Sequence, residues 1–169
     1  RKTAAKVLEW TADNISPSNA RFLKSIPQGK TVDDLFIMVH GSLVERDAYI
    51  LSAQEISKNL NCMINEFPDQ RICFFGHTHI PMLIGTKAVI TDLRETKVFQ
   101  LDRNDIYLIN PGSVGQPRDK CPLASFGIFD AENWKMTFVR KPYDFRLAQR
   151  LIIDNGLPEK FARRLAVGV

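Results

Sequence analysis

His40, His77 and His79 are the only histidines in a chain of 169 residues, and each closes an apolar run. His40 ends the run in LFIMVHGS, while His77 and His79 end ICFFGHTH, two residues apart behind Gly76. A neutral imidazole is the commonest nitrogen donor for zinc, manganese, iron or nickel. An H-x-H unit at a strand end can lean both rings one way, or serve two ions if the backbone bends there. Gly76 would let the chain pass close to such a centre with no Cβ in the way. One strand-end histidine is ordinarily a polar cap on a core element; three out of three point to a metal site. A catalytic pair of ions also needs carboxylates to bridge and neutralise it. No D-x-H or G-D-x-x-D is present, and Asp47, Asp92, Asp105 and Asp119 each read as turn or surface aspartates. Three histidines alone could hold one zinc with an open fourth position.

A second dense stretch is INPGSVGQPRD, residues 109–119. Asn110 ends the apolar run IYLIN, and Pro111-Gly112 makes a turn. Gly112, Ser113, Val114 and Gly115 could present main-chain N–H groups to an anion, and Arg118 offers a planar fork for phosphate.

The elements that would position these groups follow from periodicity. Residues 4–15 read as a helix, and a second begins after Ser16-Pro17, a cap followed by a first-turn proline. QGKTVDD is expected to turn. DLFIMVHG is a continuous apolar run, as for a strand buried on both faces. In DAYILSAQEISKNLNCMINEF the apolar residues fall at 50, 53, 56, 60, 63, 64 and 67, the stripe of an amphipathic helix stopped by Pro68. RICFFGHTH is a second strand. Residues 35–79 therefore read strand–helix–strand, a crossover joining parallel neighbours. Beyond it, PMLIGT, KAVITDL, KVFQLD, DIYLIN, SFGIFD and KMTFVRK are short strands of an antiparallel or mixed sheet. Two helices close the chain, with Gly156 as a stop and Pro158 as a first-turn start. Functional groups of an open α/β sheet gather beyond the carboxyl ends of its parallel strands. If these strands are neighbours, the three imidazoles converge on one patch.

Bulk properties narrow the function classes. The chain is 44% hydrophobic and 25% charged, enough for one domain with a real core. A formal net charge of +4 is mild. Its densest basic stretch (Arg146, Arg150, Lys160, Arg163, Arg164) lacks interleaved aromatics and reads as a solvated helix face, so a nucleic-acid partner is not expected. Cys62, Cys73 and Cys121 are odd in number and form no C-x-x-C, which suits a reducing cytoplasm. No apolar run approaches the ~18 residues that span a bilayer, so no membrane partner is expected.

Together, VHG, FGHTHIP and NPGSVGQPRD, in this order and at these separations, resemble the calcineurin-like metallophosphoesterase superfamily, in particular its small prokaryotic members related to diadenosine tetraphosphatase or serine/threonine phosphatases. The opening VLEWTADNISPSNARFLKSIP and the closing PYD…LAQRLIIDNGLPEKFARRLAVG are also similar to that subgroup, so the likeness covers essentially the whole chain. It implies an α+β or α/β fold, the C-terminal two-thirds of a four-layer α-β-β-α sandwich, as a single domain over residues 1–169 lacking its N-terminal part. It implies two divalent ions, manganese, iron, nickel or zinc, in the intact enzyme. His40 and His77 match the histidines on one ion and His79 matches a histidine on the other. Gly41, Gly76, Asn110, Ser113 and Arg118 match positions that support the ligands or face substrate.

The family's D-x-H, G-D-x-x-D and G-N-H motifs are absent, and its acid histidine would lie upstream of Arg1. The expected activity is therefore hydrolysis of a phosphate mono- or diester, on a small molecule or a phosphoprotein, by two-metal activation of water. This chain alone is expected to hold at most one ion weakly and to be inactive. The rival expectations are a non-catalytic scaffold on the same fold and a self-contained three-histidine zinc hydrolase. Substrate, metal and oligomeric state are not encoded legibly.

Overall fold

The computed structural model describes residues 2–27, 31–32 and 34–169. In chain order the elements are α1 (Lys2–Asn14), α2 (Pro17–Ser25), β1 (Thr31–Val32), β2 (Phe36–Met38), α3 (Ala53–Glu66), β3 (Ile72–Phe74), β4 (Met82–Gly85), β5 (Val89–Ile90), β6 (Lys97–Gln100), β7 (Tyr107–Asn110), β8 (Ala124–Asp130), β9 (Lys135–Lys141), α4 (Phe145–Asp154) and α5 (Glu159–Val167).

Helix starts follow local chemistry. Ser16 accepts from Asn19 N ahead of Pro17. At α3 the Ser52 hydroxyl accepts from Glu55 N, and the Glu55 carboxylate accepts from Ser52 N and Leu51 N. This reciprocal box satisfies main-chain donors that a helix start otherwise leaves bare. Pro158 stands one residue before α5 as its cap, not inside its first turn, and Gly168 ends α5 in the left-handed region at φ 64°.

A six-stranded sheet runs β1-β2-β3-β7-β4-β5, and a three-stranded sheet runs β6-β9-β8. β2, β3 and β7 are parallel neighbours, as the crossover through α3 requires, whereas β4 returns antiparallel to β7. Register assigns the two faces. Ile37, Cys73, Leu108 and Ile84 align across four strands and pack beneath Cys62 and Met63 of α3. The alternate residues Ile72, Tyr107, Ile109 and Leu83 face Met136 and Phe138 of the smaller sheet and Trp134 in the turn before β9. Side-chain alternation along each strand thus builds two cores, one under the helix and one between the sheets.

Two expectations change. Of QGKTVDD, residues 28–30 and 33 lie outside the described residues, and Thr31–Val32 form β1 rather than turn, pairing antiparallel with β2. The apolar run in β2 is not buried on both faces: Ile37 is fully buried but Met38 remains 45% exposed. Its position between two strands satisfies its backbone without covering both of its faces. Among the described residues no helix is long and apolar enough to cross a membrane.

Candidate metal centre

The carboxyl ends of β2, β3 and β7 lie side by side, and the three sequence motifs meet there. The ladder continues past the strands: Val39 N donates to Phe74 O, Phe75 N to Ile109 O, and Gly76 N to His40 O at 2.8 Å. This last bond fixes the histidine-bearing segments relative to one another. A Cβ on Gly76 would stand 3.3 Å from the His40 carbonyl oxygen, so the residue's smallness serves this close backbone approach.

Beyond Gly76 the chain bends sharply. His77 and His79 both adopt left-handed backbone conformations, at φ 62° and 59°, which cost an L residue roughly 1–2 kcal/mol each. Such strain persists only where the surroundings over-determine it, and it concentrates at functional sites. Here Thr78 N donates to Gly76 O and Arg118 N to His79 O. Asn110, fully buried at the end of β7, donates to Gly76 O at 2.9 Å and to Thr78 Oγ1 at 2.8 Å. Its own Oδ1 accepts from Gly112 N. One side chain therefore locks the histidine turn to the following loop.

The rings separate into a pair and a single. His40 Nε2 and His77 Nδ1 stand 2.8 Å apart, with ring centroids at 4.6 Å. Tyr49 stacks on His77 at 4.3 Å and 20°. Burial holds the His77 pKa below its ordinary value, helped by the neighbouring His40 and opposed by the carboxylate and main-chain carbonyl of Asp47. His79 is also held low, mainly by burial. Its Nδ1 lies 2.8 Å from Gln116 O. A carbonyl can only accept, so that nitrogen carries the proton and, in the neutral ring, Nε2 keeps its lone pair. A metal-binding imidazole commonly has its other nitrogen fixed in this way.

Two nitrogens bound to one ion at ~2.0–2.1 Å stand roughly 3 Å from each other. The His40–His77 spacing fits that requirement, and the lowered pKa values of His77 and His79 favour their neutral, donating forms. Yet among the described residues no group of three or more His, Cys, Asp or Glu gathers closely enough to hold an ion. The bend at Thr78 gives His77 and His79 different partners, His40 for the one and the Gln116 carbonyl for the other.

In the loop after β7, some of the donors are engaged within the protein. Ser113 Oγ accepts from Gly115 N and Gln116 N, and Gly112 N is taken by Asn110. Three main-chain donors are thereby committed within the protein rather than offered to an anion. The Arg118 guanidinium holds the Gln116 side-chain oxygen, at 3.1 Å through NH2. Asp119, read from sequence as a surface aspartate, is buried in an ion pair with Arg140. Arg140 also donates to Leu93 O and Leu123 O. Gly41 must lack a Cβ, which would meet Arg46 O at 2.5 Å and Ala48 O at 2.7 Å. Tyr49, Thr78, Gln116 and the Asp47 carbonyl were not singled out by sequence; only Tyr49, an aromatic at the exposed edge of an apolar stripe, left a signal there.

Comparison with known proteins agrees with this architecture. The calcineurin-like phosphoesterase superfamily domain matches residues 13–134. A protein of Methanocaldococcus jannaschii described as uncharacterized is 33% identical over 99% of this chain and 67% of its own length. The crystal structure of a metallophosphoesterase from Sphaerobacter thermophilus is 33% identical, with a TM-score of 0.84, over 95% of this chain and 65% of that one. A hypothetical protein from Pyrococcus horikoshii shares the fold at a TM-score of 0.71 and 22% identity, over 96% of this chain and 59% of that one. The chain belongs to the calcineurin-like phosphoesterase superfamily. It spans about two-thirds or less of the length of these solved relatives.

Proposed function

We propose that these residues form part of the metal centre of a phosphoesterase, with His40 and His77 sharing one divalent ion and His79 serving a second. The observation that carries this reading is the 2.8 Å approach of His40 Nε2 to His77 Nδ1, a spacing suited to two donors on one ion. The pinned Nδ1 of His79 supports its separate role, since Nε2 is the nitrogen left to donate. Ions in such a centre supply Lewis-acid polarisation of a phosphoryl oxygen and a nucleophilic water at neutral pH. The protein's share is orientation: Asn110 holds the histidine turn, and Arg118 lies at the rim, beside His79, as a cation for substrate phosphate.

Manganese, iron, nickel and zinc all suit such donors. The substrate class is a phosphate mono- or diester, on a small molecule or a phosphoprotein. With no third donor gathered among the described residues, this chain on its own binds an ion weakly and does not turn over. A complete centre needs further ligands and an acid besides these three histidines. Cys62, Cys73 and Cys121 are buried thiols, which fits a reducing compartment such as the cytoplasm.

Equilibrium dialysis against manganese or zinc tests the reading. Wild type should hold an ion that His40→Ala and His77→Ala each lose. Equal binding by all three would sink it. The missing third donor also favours a second reading, a non-catalytic scaffold. That reading predicts no ion on wild type at any accessible concentration.

A further inference from the structure

The segment between β2 and α3 is short on regular structure but heavily tied. Gly41 admits the carbonyls of Arg46 and Ala48 into the space a side chain would fill. Ser42 Oγ accepts from Val44 N and Glu45 N, and Asn59 of α3 accepts from Leu43 N at 2.8 Å. Ile50 is 1% exposed and packs in the core under α3. Leu51 N and Ser52 N are taken by Glu55. The loop is therefore fixed at both ends, and Tyr49 sits between those anchors.

Tyr49 is 42% exposed, so its ring contributes little to the core. Its contact is with His77: the two rings are nearly parallel, 20° apart, with centroids 4.3 Å distant. On its edge, the same imidazole meets His40. His77 is thus covered on one face by an aromatic ring and directed by its edge toward a second donor. On this strained left-handed backbone the imidazole is restrained from the tied loop in two ways, by the Asp47 carbonyl at its edge and by the Tyr49 ring on its face.

We propose that Tyr49 is a positioning residue, holding the His77 imidazole in the plane that presents Nδ1 to His40 and to a shared ion. The ion rests on the functional reading above; the ring restraint does not. The phenol oxygen plays no part in it, because the contact is face to face.

The test uses Tyr49→Ala and Tyr49→Phe in the full chain, with two readouts. In metal-free protein, proton NMR should show His77 ring protons shifted by the Tyr49 ring current and cross-relaxing with His40 ring protons. Tyr49→Ala should lose both signals and Tyr49→Phe should keep both. In dialysis against zinc or manganese, Tyr49→Ala should bind about 10-fold more weakly, the low end of the usual effect of removing a ligand's support, and Tyr49→Phe should match wild type. The urea midpoint should not move in either variant. Unchanged ring signals in Tyr49→Ala would overturn the proposal, as would a Phe variant as impaired as the Ala variant. Failure of wild type to bind any ion would overturn the metal reading instead, and the metal-free ring signals would still decide the role of Tyr49.

Discussion

Replacing Asn110 with alanine should cost about 3 kcal/mol and loosen the histidine turn. The side chain is fully buried and makes three hydrogen bonds of 2.8–2.9 Å. Truncation abandons three partners unequally. Thr78 Oγ1 still receives Ile80 N, and Gly76 O still receives Thr78 N. Gly112 N loses its acceptor outright. An orphaned buried donor costs ~1–3 kcal/mol; taking ~2 for Gly112 N and ~1 for the half-deprived groups and the small cavity gives ~3 kcal/mol. Against a typical stability of ~5–15 kcal/mol this is a large fraction. With a urea m-value of ~2 kcal/mol/M, the midpoint should fall by ~1.5 M. Amide exchange should accelerate at Gly112 more than at Ile109, whose neighbours in the sheet are untouched. A loss below ~1 kcal/mol, or a Gly112 amide as protected as in wild type, would refute the accounting.

Other consequences can be checked separately. His77→Gly should be about 1 kcal/mol more stable than His77→Ala, since both lack the imidazole and only alanine bears the left-handed penalty; equal urea midpoints would contradict that backbone. Asp119→Ala should lose ~3 kcal/mol in chemical denaturation by leaving the Arg140 guanidinium buried and unpaired, and a near-neutral result would mean that the Leu93 and Leu123 carbonyls suffice. Main-chain N–H groups of Leu51 and Ser52 hold the Glu55 carboxyl below its ordinary value of 4.5. A carboxyl lowered in the folded state stabilises it fully above the unfolded value and loses that contribution as pH falls through the folded one. Protection of the Leu51 and Ser52 amides should therefore decline below about pH 4.5, and Glu55→Gln should flatten that profile. Ser52→Ala should cost ~1 kcal/mol by removing the reciprocal half of the same box.

How much could be read in advance depended on the range of each signal. The crossover was legible because periodicity is local: the α3 stripe and the runs ending at His40 and Gly76 dictate parallel β2 and β3, and so put the histidines at adjoining strand ends. The paired faces of the six-stranded sheet follow from the same alternation. What sequence does not carry is the bend. His77 and His79 lie in left-handed conformations without glycine or asparagine to announce them, because Asn110, some thirty residues on, enforces the turn. The Asp119–Arg140 pair was hidden for the same reason, two surface-type residues 21 positions apart. The loop at 112–115 reads as an anion cradle by composition, and Asn110 and Ser113 take two of its four donors, Gly112 N and Gly115 N. Met38 shows the converse limit: apolarity implied burial, and the structure leaves it open.

Anomalous diffraction from crystals soaked in manganese or zinc would locate an ion against the imidazoles. A shared ion gives a peak between His40 Nε2 and His77 Nδ1, about 2.0–2.2 Å from each nitrogen, with any second ion on the Nε2 side of His79. Peaks only at unrelated surface carboxylates, with the two imidazoles still hydrogen-bonded to each other at saturating metal, would contradict a shared ion.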